Sequence, residues 1–286
     1  MVCGMRAPVH VVERVPPETV AFDVLTRDEL NSAAAATTLV VPLGSTEQHA
    51  HHLPTRTDAA CVSAIAHRSA RLAAGHVPVL VAPTLPFGCA HHHLPFGGTL
   101  SLTTSTYVNL LCDLVGGAVR EGYRSVVLLN GHGGNDSAIR LAVDRIVYEE
   151  RLDVHIAAAS YWVLADDVLR AHGFVSPGHA GHFETSLMLA LEPDLVHLNR
   201  RATDPTECTP LGRPDIPGAS IRRSGLWEAS DGRTDDAAKA TAELGAVLVD
   251  EIVAVVAQFL VQFHRSTPAG GSDVARAFIS SSPAEG

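Results

Sequence analysis

At 286 residues and 30.1 kDa, with 46% hydrophobic and 18% charged residues, the chain can bury the core of one large domain or two small ones. Its formal net charge of -10, a single lysine (Lys239) and the lack of any Lys/Arg run exclude nucleic acid as a partner, because phosphate binding needs grouped positive charge. Five cysteines (Cys3, Cys61, Cys89, Cys112 and Cys208) are odd in number and show no CxxC spacing, so they read as reduced thiols and not as a disulfide framework or zinc knuckle.

The opening residues carry no basic stretch followed by an apolar segment, so no signal peptide is expected. No uninterrupted apolar run reaches the roughly 20 residues needed to cross a bilayer, and a cytoplasmic protein without a membrane partner is expected. Segments 1–16 and 265–286 are rich in Pro, Ser, Gly and Ala and are expected to be poorly ordered tails. A single domain over 17–264 lies between them.

In chain order, the β-branched run 37–43 ends at Gly44 and predicts a buried strand. A helix is expected over 58–73, with Asp58 placed to cap it. A second strand over 77–85, a helix over 103–121 stopped at Gly122, and a third strand over 125–129 follow. That strand breaks into Asn130-Gly131-His132-Gly133-Gly134-Asn135, and a helix over 136–150 comes next. A fourth strand over 154–160, helices over 161–172 and 183–191, and a long Ala/Val-rich helix over 235–263 complete the pattern. The segment 199–233 is dominated by turn formers and reads as irregular structure over the core.

Strand-helix alternation of this kind predicts an α/β fold, a three-layer α/β/α sandwich around a mostly parallel sheet. In such folds functional groups collect beyond the carboxyl ends of the strands. The 16 histidines fall there in groups: His49, His51 and His52 after the first strand, His91, His92 and His93 after the second, and His132 after the third. His179 and His182 form a further pair.

Three of these segments could carry chemistry. Glu47, His49 and Asp58 lie within twelve residues, and in an extended stretch Glu47 and His49 point the same way. Asp58 has two oxygens with which to bridge two ions; the alternative is a solvated loop with a helix-capping Asp. The Asn-Gly-His-Gly-Gly-Asn turn is neither a P-loop nor a dinucleotide fingerprint, and its glycines permit close approach to a ligand. In the third segment Glu184 is either a first-turn carboxylate favoured by the helix dipole or a metal ligand. Cys89 is a possible nucleophile by residue type, but no neighbouring pattern marks it as activated.

The sequence G-S-T-E-Q-H, then H-L-P-x-x-T-D, N-G-H-G-G-N and H-A-G-x-x-E-T-S, in that order over residues 39–191, resembles the creatininase (creatinine amidohydrolase) family, in its N-G-H-G-G-N subgroup. The resemblance implies two divalent metal ions per chain, zinc foremost with manganese or iron as alternatives, and hydrolysis of a C–N amide bond by a metal-activated hydroxide. It implies Glu47 and His132 on one ion, His49 on the other and Asp58 between them. Creatininase itself carries N-G-H-Y-E-N, whose Glu is a ligand; Gly134 stands in its place here, so Glu184 becomes the fifth ligand. His179 matches the family histidine that passes a proton to the leaving nitrogen.

The resemblance further implies His91 or His92 against the substrate, backbone amides of Gly133 and Gly134 at the oxyanion, and a homo-oligomer, often a hexamer. The substrate expected is a cyclic amide, formamide or related small molecule. The runners-up are a mycofactocin-type precursor peptidase and a metal-binding scaffold without activity. Trp162 and Trp227 are each either a pocket wall or core.

Overall fold

Residues 19–202 and 224–267 are described by the computed structural model. The expected N-terminal tail, nearly all of the C-terminal one, Cys3 and Cys208 lie outside them. In chain order the main elements are α1 (Arg27–Ala33), β1 (Thr38–Leu43), α2 (Thr57–Ala74), β2 (Val79–Val81), α3 (Thr104–Arg120) and β3 (Ser125–Asn130). These are followed by α4 (Asp136–Asp144), β4 (His155–Ser160), α5 (Tyr161–Leu164), α6 (Asp166–Ala171), α7 (His182–Leu191), α8 (Leu226–Ala229) and α9 (Ala242–Ser266).

The four strands form one parallel sheet in the order β2-β1-β3-β4. Successive side chains leave a strand on opposite faces, and the burial follows that rule. Val40, Val79, Val81, Val127 and Leu129 pack with α2, α7 and α9 on one face. Leu39, Val41, Leu43, Leu80, Val126 and Leu128 pack with α3 and α4 on the other. Both faces are covered, so the strands read as continuous apolar runs and the fold is the expected three-layer sandwich.

Several boundaries differ from expectation, each for a local reason. The second strand is only three residues long, because after the Ala82 N–H donates to Val40 O the edge strand shifts register by one residue. Pairing resumes at Leu85, whose N–H donates to Pro42 O at 2.9 Å. The final helix starts at Ala242, capped by the Thr241 hydroxyl, and not at Asp235, whose carboxylate accepts from the His182 N–H. It runs on through Ser266. The helix of 136–150 divides into α4 and a π-helical turn, Arg145–Glu149. Gly122, at φ 101°, ends α3 as expected.

By length and composition α9 is apolar enough to cross a membrane, with a mean hydropathy of 2.1 over its best window. Asp250 and Glu251 interrupt it, and Leu248, Val249, Ile252, Val256 and Leu260 are buried in the core shared with α2 and α7. It is packed as the central helix of its layer.

Candidate metal centre

The site forms where the ends of β1 and β3 meet the start of α2 and α7. After Leu43 the chain passes so close to α2 that a Cβ on Gly44 would lie 2.6 Å from Ala59 Cα. That approach brings Glu47, His49 and Asp58 together, all buried. Asp58 does not cap α2. Arg56 occupies the cap position without a side-chain bond, and the Asp58 carboxylate turns inward instead.

The Asn-Gly-His-Gly-Gly-Asn turn is braced by its two asparagines. Asn130 Nδ2 shares its two protons among His132 O, Asp136 and Ser160, all within 3.0 Å, and its Oδ1 accepts from the His132 N–H at 3.1 Å. Asn135 donates to Gly44 O and accepts from the Cys89 N–H. Gly131 lies against Val62, where a Cβ would come within 2.6 Å. His132 is therefore fixed beyond the end of β3, against the segments that follow β1 and β2. Its Nε2 donates to Cys89 O at 3.2 Å, which leaves Nδ1 as the bare nitrogen.

That nitrogen lies 3.1 Å from Glu47 Oε2 and 3.0 Å from Asp58 Oδ2. The other Asp58 oxygen lies 3.1 Å from His49 Nε2, and Glu184 Oε2 is 3.7 Å from that same nitrogen. His49 Nδ1 donates to Glu47 O, so its Nε2 is likewise bare. Among the described residues three ligand groups result; Glu47-His93-His179 stands beside the two that Asp58 joins, Glu47-Asp58-His132 and His49-His179-Glu184. Asp58 presents a separate oxygen to each of those two. The two-residue spacing of Glu47 and His49 sends both inward, but to different groups.

Divalent ions fit this donor set. Asp58 Oδ2 and Glu47 Oε1 are buried without a hydrogen-bond partner, although imidazole nitrogens lie within 3.0 and 3.2 Å of them. Asp58 Oδ2 and His132 Nδ1 are close but not aimed at one another, as ligands around a common centre would be. Carboxylates with imidazoles suit zinc, manganese or iron(II). The electrostatics make the same demand for positive charge. Burial alone would lower His49, yet Asp58, Glu184 and Glu47 raise it to about 10. Burial raises Glu184 to about 8 against the opposing effect of His49.

Glu184 stands in the first turn of α7, where its Oε2 also accepts from the Ala180 N–H. Ala180 (φ 54°) and Ala50 (φ 52°) both take the left-handed conformation unfavourable to residues with a Cβ, each directly after a site histidine. Gly134 has no room for a side chain: a Cβ would fall 2.2 Å from Cys89 O and 2.4 Å from His132 Nε2. A glutamate is not accommodated there in this arrangement. Open space surrounds the Cβ direction of Gly133.

The remaining candidates separate clearly. His179 is buried in the group of His49 and Glu184, with Nε2 on Gln48 O at 2.9 Å. His92 is half-buried, stacked parallel to His132 and packed on Trp227. His91 is exposed, its Nδ1 2.6 Å from Ser101 Oγ, and belongs to none of the groups. His51 is exposed beside Asp231, and the His182 N–H is held by Asp235. Trp227 packs on His93 and His179, whereas Trp162 packs on Tyr161 within the core. Burial pushes the Cys89 thiol up, the wrong direction for a nucleophile. Cys61 and Cys112 are buried free thiols.

Two residues of the site escaped the sequence. His93 is the buried member of its triplet, with Nε2 3.2 Å from Glu47 Oε1. Gln48 lies between His93 and His179. Within three consecutive histidines, periodicity cannot choose the inward one, because a short 3-10 turn (His91–Phe96) sets it. Gln48 does not titrate and so drew no attention.

Comparison with known proteins follows this geometry. The creatininase family profile, described as creatinine amidohydrolase, matches residues 23–260. A mycofactocin precursor peptide peptidase of Mycobacterium tuberculosis is 34% identical over 238 residues, 78% of this chain and 86% of the relative. Creatinine amidohydrolase of Pseudomonas putida is 34% identical over 200 residues, 64% of this chain and 75% of its own length. A solved mutant creatininase of Zn-Zn type superposes with a TM-score of 0.71 at 29% identity, over 85% of this chain and 98% of that one. The motifs, the three-layer fold and these matches agree: the chain belongs to the creatininase family of hydrolases.

Proposed function

We propose that the protein hydrolyses a C–N amide bond with two divalent ions, one held by Glu47, Asp58 and His132 and the other by His49, Asp58 and Glu184. The observation that carries this reading is Asp58, whose two oxygens lie 3.0 and 3.1 Å from imidazole nitrogens of different groups. Such ions polarise a carbonyl and make hydroxide available near neutral pH, with zinc first and manganese or iron as alternatives.

The chain's own groups supply the rest. Burial, reinforced by His49 and His93, holds His179 well below the usual histidine range, so its imidazole is neutral. Its Nδ1, which faces the site, takes the proton released as water adds to the carbonyl carbon. It returns that proton to the nitrogen as the C–N bond breaks, leaving an acid and an amine. Backbone N–H groups of Gly133 and Gly134 are the donors assigned to the oxyanion, and His92 with Trp227 the wall against the substrate.

Gly134 in place of the glutamate of the N-G-H-Y-E-N signature favours a small cyclic amide or formamide other than creatinine. Wider coverage by the mycobacterial peptidase favours a second reading, removal of a short peptide from a precursor chain. A homo-oligomer, a hexamer by family resemblance, acting in the cytoplasm belongs to the same proposal. Metal-replete protein should be assayed against cyclic amides, formamides and short peptides, with and without chelator. Chelator-sensitive release of an amine supports the reading, and release that ignores the chelator overturns it.

A further inference from the structure

Gln48 touches more of the site than any role so far explains. Its Nε2 lies 2.7 Å from Gly232 O, 2.8 Å from His93 Nδ1 and 3.1 Å from His179 Nε2. Its Oε1 accepts from the Ala50 N–H at 2.8 Å. A backbone donor on one side and a backbone acceptor on the other fix which way the amide points. Gly232 (φ +67°) lies so flat against this amide that a Cβ would come within 2.8 Å of it.

The amide has only two protons. Gly232 O can only accept, so it takes the first. His179 Nε2 lies 2.9 Å from the Gln48 carbonyl, which also can only accept, so that nitrogen must carry a proton and cannot take one from the amide. The second amide proton therefore goes to His93 Nδ1. His93 must then carry its own proton on Nε2, beside Glu47 Oε1 at 3.2 Å. His179, protonated at Nε2, presents a bare Nδ1 to the site, 3.6 Å from the same oxygen.

We propose that Gln48 is a positioning residue that fixes the tautomers of both histidines, placing the His93 proton on Nε2 beside Glu47 and leaving His179 Nδ1 as a proton acceptor. This assignment also removes His93 Nε2 as a ligand from the third cluster of ligand-type residues, Glu47-His93-His179. A nitrogen that carries a proton has no lone pair for an ion. The inference rests on the proposed hydrolase for its consequences, but its geometry stands without it.

The test is nitrogen-15 NMR of the zinc-loaded protein, in which two-bond proton correlations report the protonated nitrogen of each histidine. Wild-type His93 and His179 should both show the Nε2–H form. In Gln48→Glu the carboxylate has no proton to offer, so His93 should switch to Nδ1–H. Amide hydrolysis should fall about 10- to 100-fold with zinc content unchanged, the usual scale for partners that orient a metal site. Gln48→Met should also lose activity and free the His93 tautomer.

Wild-type His93 in the Nδ1–H form overturns the proposal without any variant. Unchanged tautomers in both variants overturn it as well. Wild-type activity that ignores chelation would sink the metal reading alone, because the tautomers remain measurable.

Discussion

Asp58→Asn is the most informative single change in the site. Asparagine keeps the shape, but it removes one charge and exchanges an oxygen for an amide nitrogen that cannot bind a cation. The two Asp58 oxygens face different groups, 3.1 Å from His49 Nε2 and 3.0 Å from His132 Nδ1, so both ions should weaken together. Removing one charged partner from a buried, paired set costs about 3–5 kcal/mol. At roughly 1.4 kcal/mol per tenfold, that is a loss of about 140- to 3,700-fold in metal affinity. Competition against a chromophoric chelator would read it, with circular dichroism to show that the variant is folded. Loss of one ion with the other held at wild-type affinity would place Asp58 in a single site and refute the shared-carboxylate scheme.

Glu184→Gln should release only the ion held with His49, because Glu184 lies 3.7 Å from His49 Nε2 and contributes nothing to the Glu47-Asp58-His132 group. Metal analysis showing both ions retained would remove Glu184 from the ligand set. Gly134→Ala forces a Cβ to within 2.2 Å of Cys89 O, and should cost about 1–3 kcal/mol in denaturant unfolding along with weaker metal binding through His132. A variant of wild-type stability would mean that the turn is looser than its contacts imply. His52, bonded to Thr185, is depressed to about 4 by burial and then by His49, so it stays neutral in the fold while the unfolded chain takes up a proton below about 6.5. Its contribution is therefore complete above pH 6.5 and is lost as pH falls toward 4, with a slope of at most about 1.4 kcal/mol per pH unit. Unfolding curves of wild type and His52→Asn between pH 4 and 7 should converge at the acid end, and parallel curves would contradict this.

Much of this arrangement was legible in the sequence because its signals are local. Apolar runs of four to six residues ending at Gly44 and Asn130 marked the strands. The glycines and asparagines of 130–135 marked a turn shaped for close approach, and the structure shows why both asparagines are needed. Elements decided by tertiary contact were harder. Asp58 looked like a helix cap, and only the position of His49 and His132 shows why its carboxylate is directed elsewhere. The start of α9 slipped by seven residues because Asp235 is committed to the His182 turn. The capping box of α1 is a local signal of the same kind, with Thr26 at the cap and Glu29 three residues on. His93 and Gln48 owe their roles to loops meeting from distant parts of the chain, and no spacing within one loop could reveal them.

The account turns most directly on how many ions the purified protein carries. Elemental analysis of metal-replete protein, paired with an amide-hydrolysis assay before and after chelation, should give about two zinc, manganese or iron ions per chain. Activity should disappear with the chelator and return with added metal. A folded protein that binds no metal and ignores chelators would contradict the account.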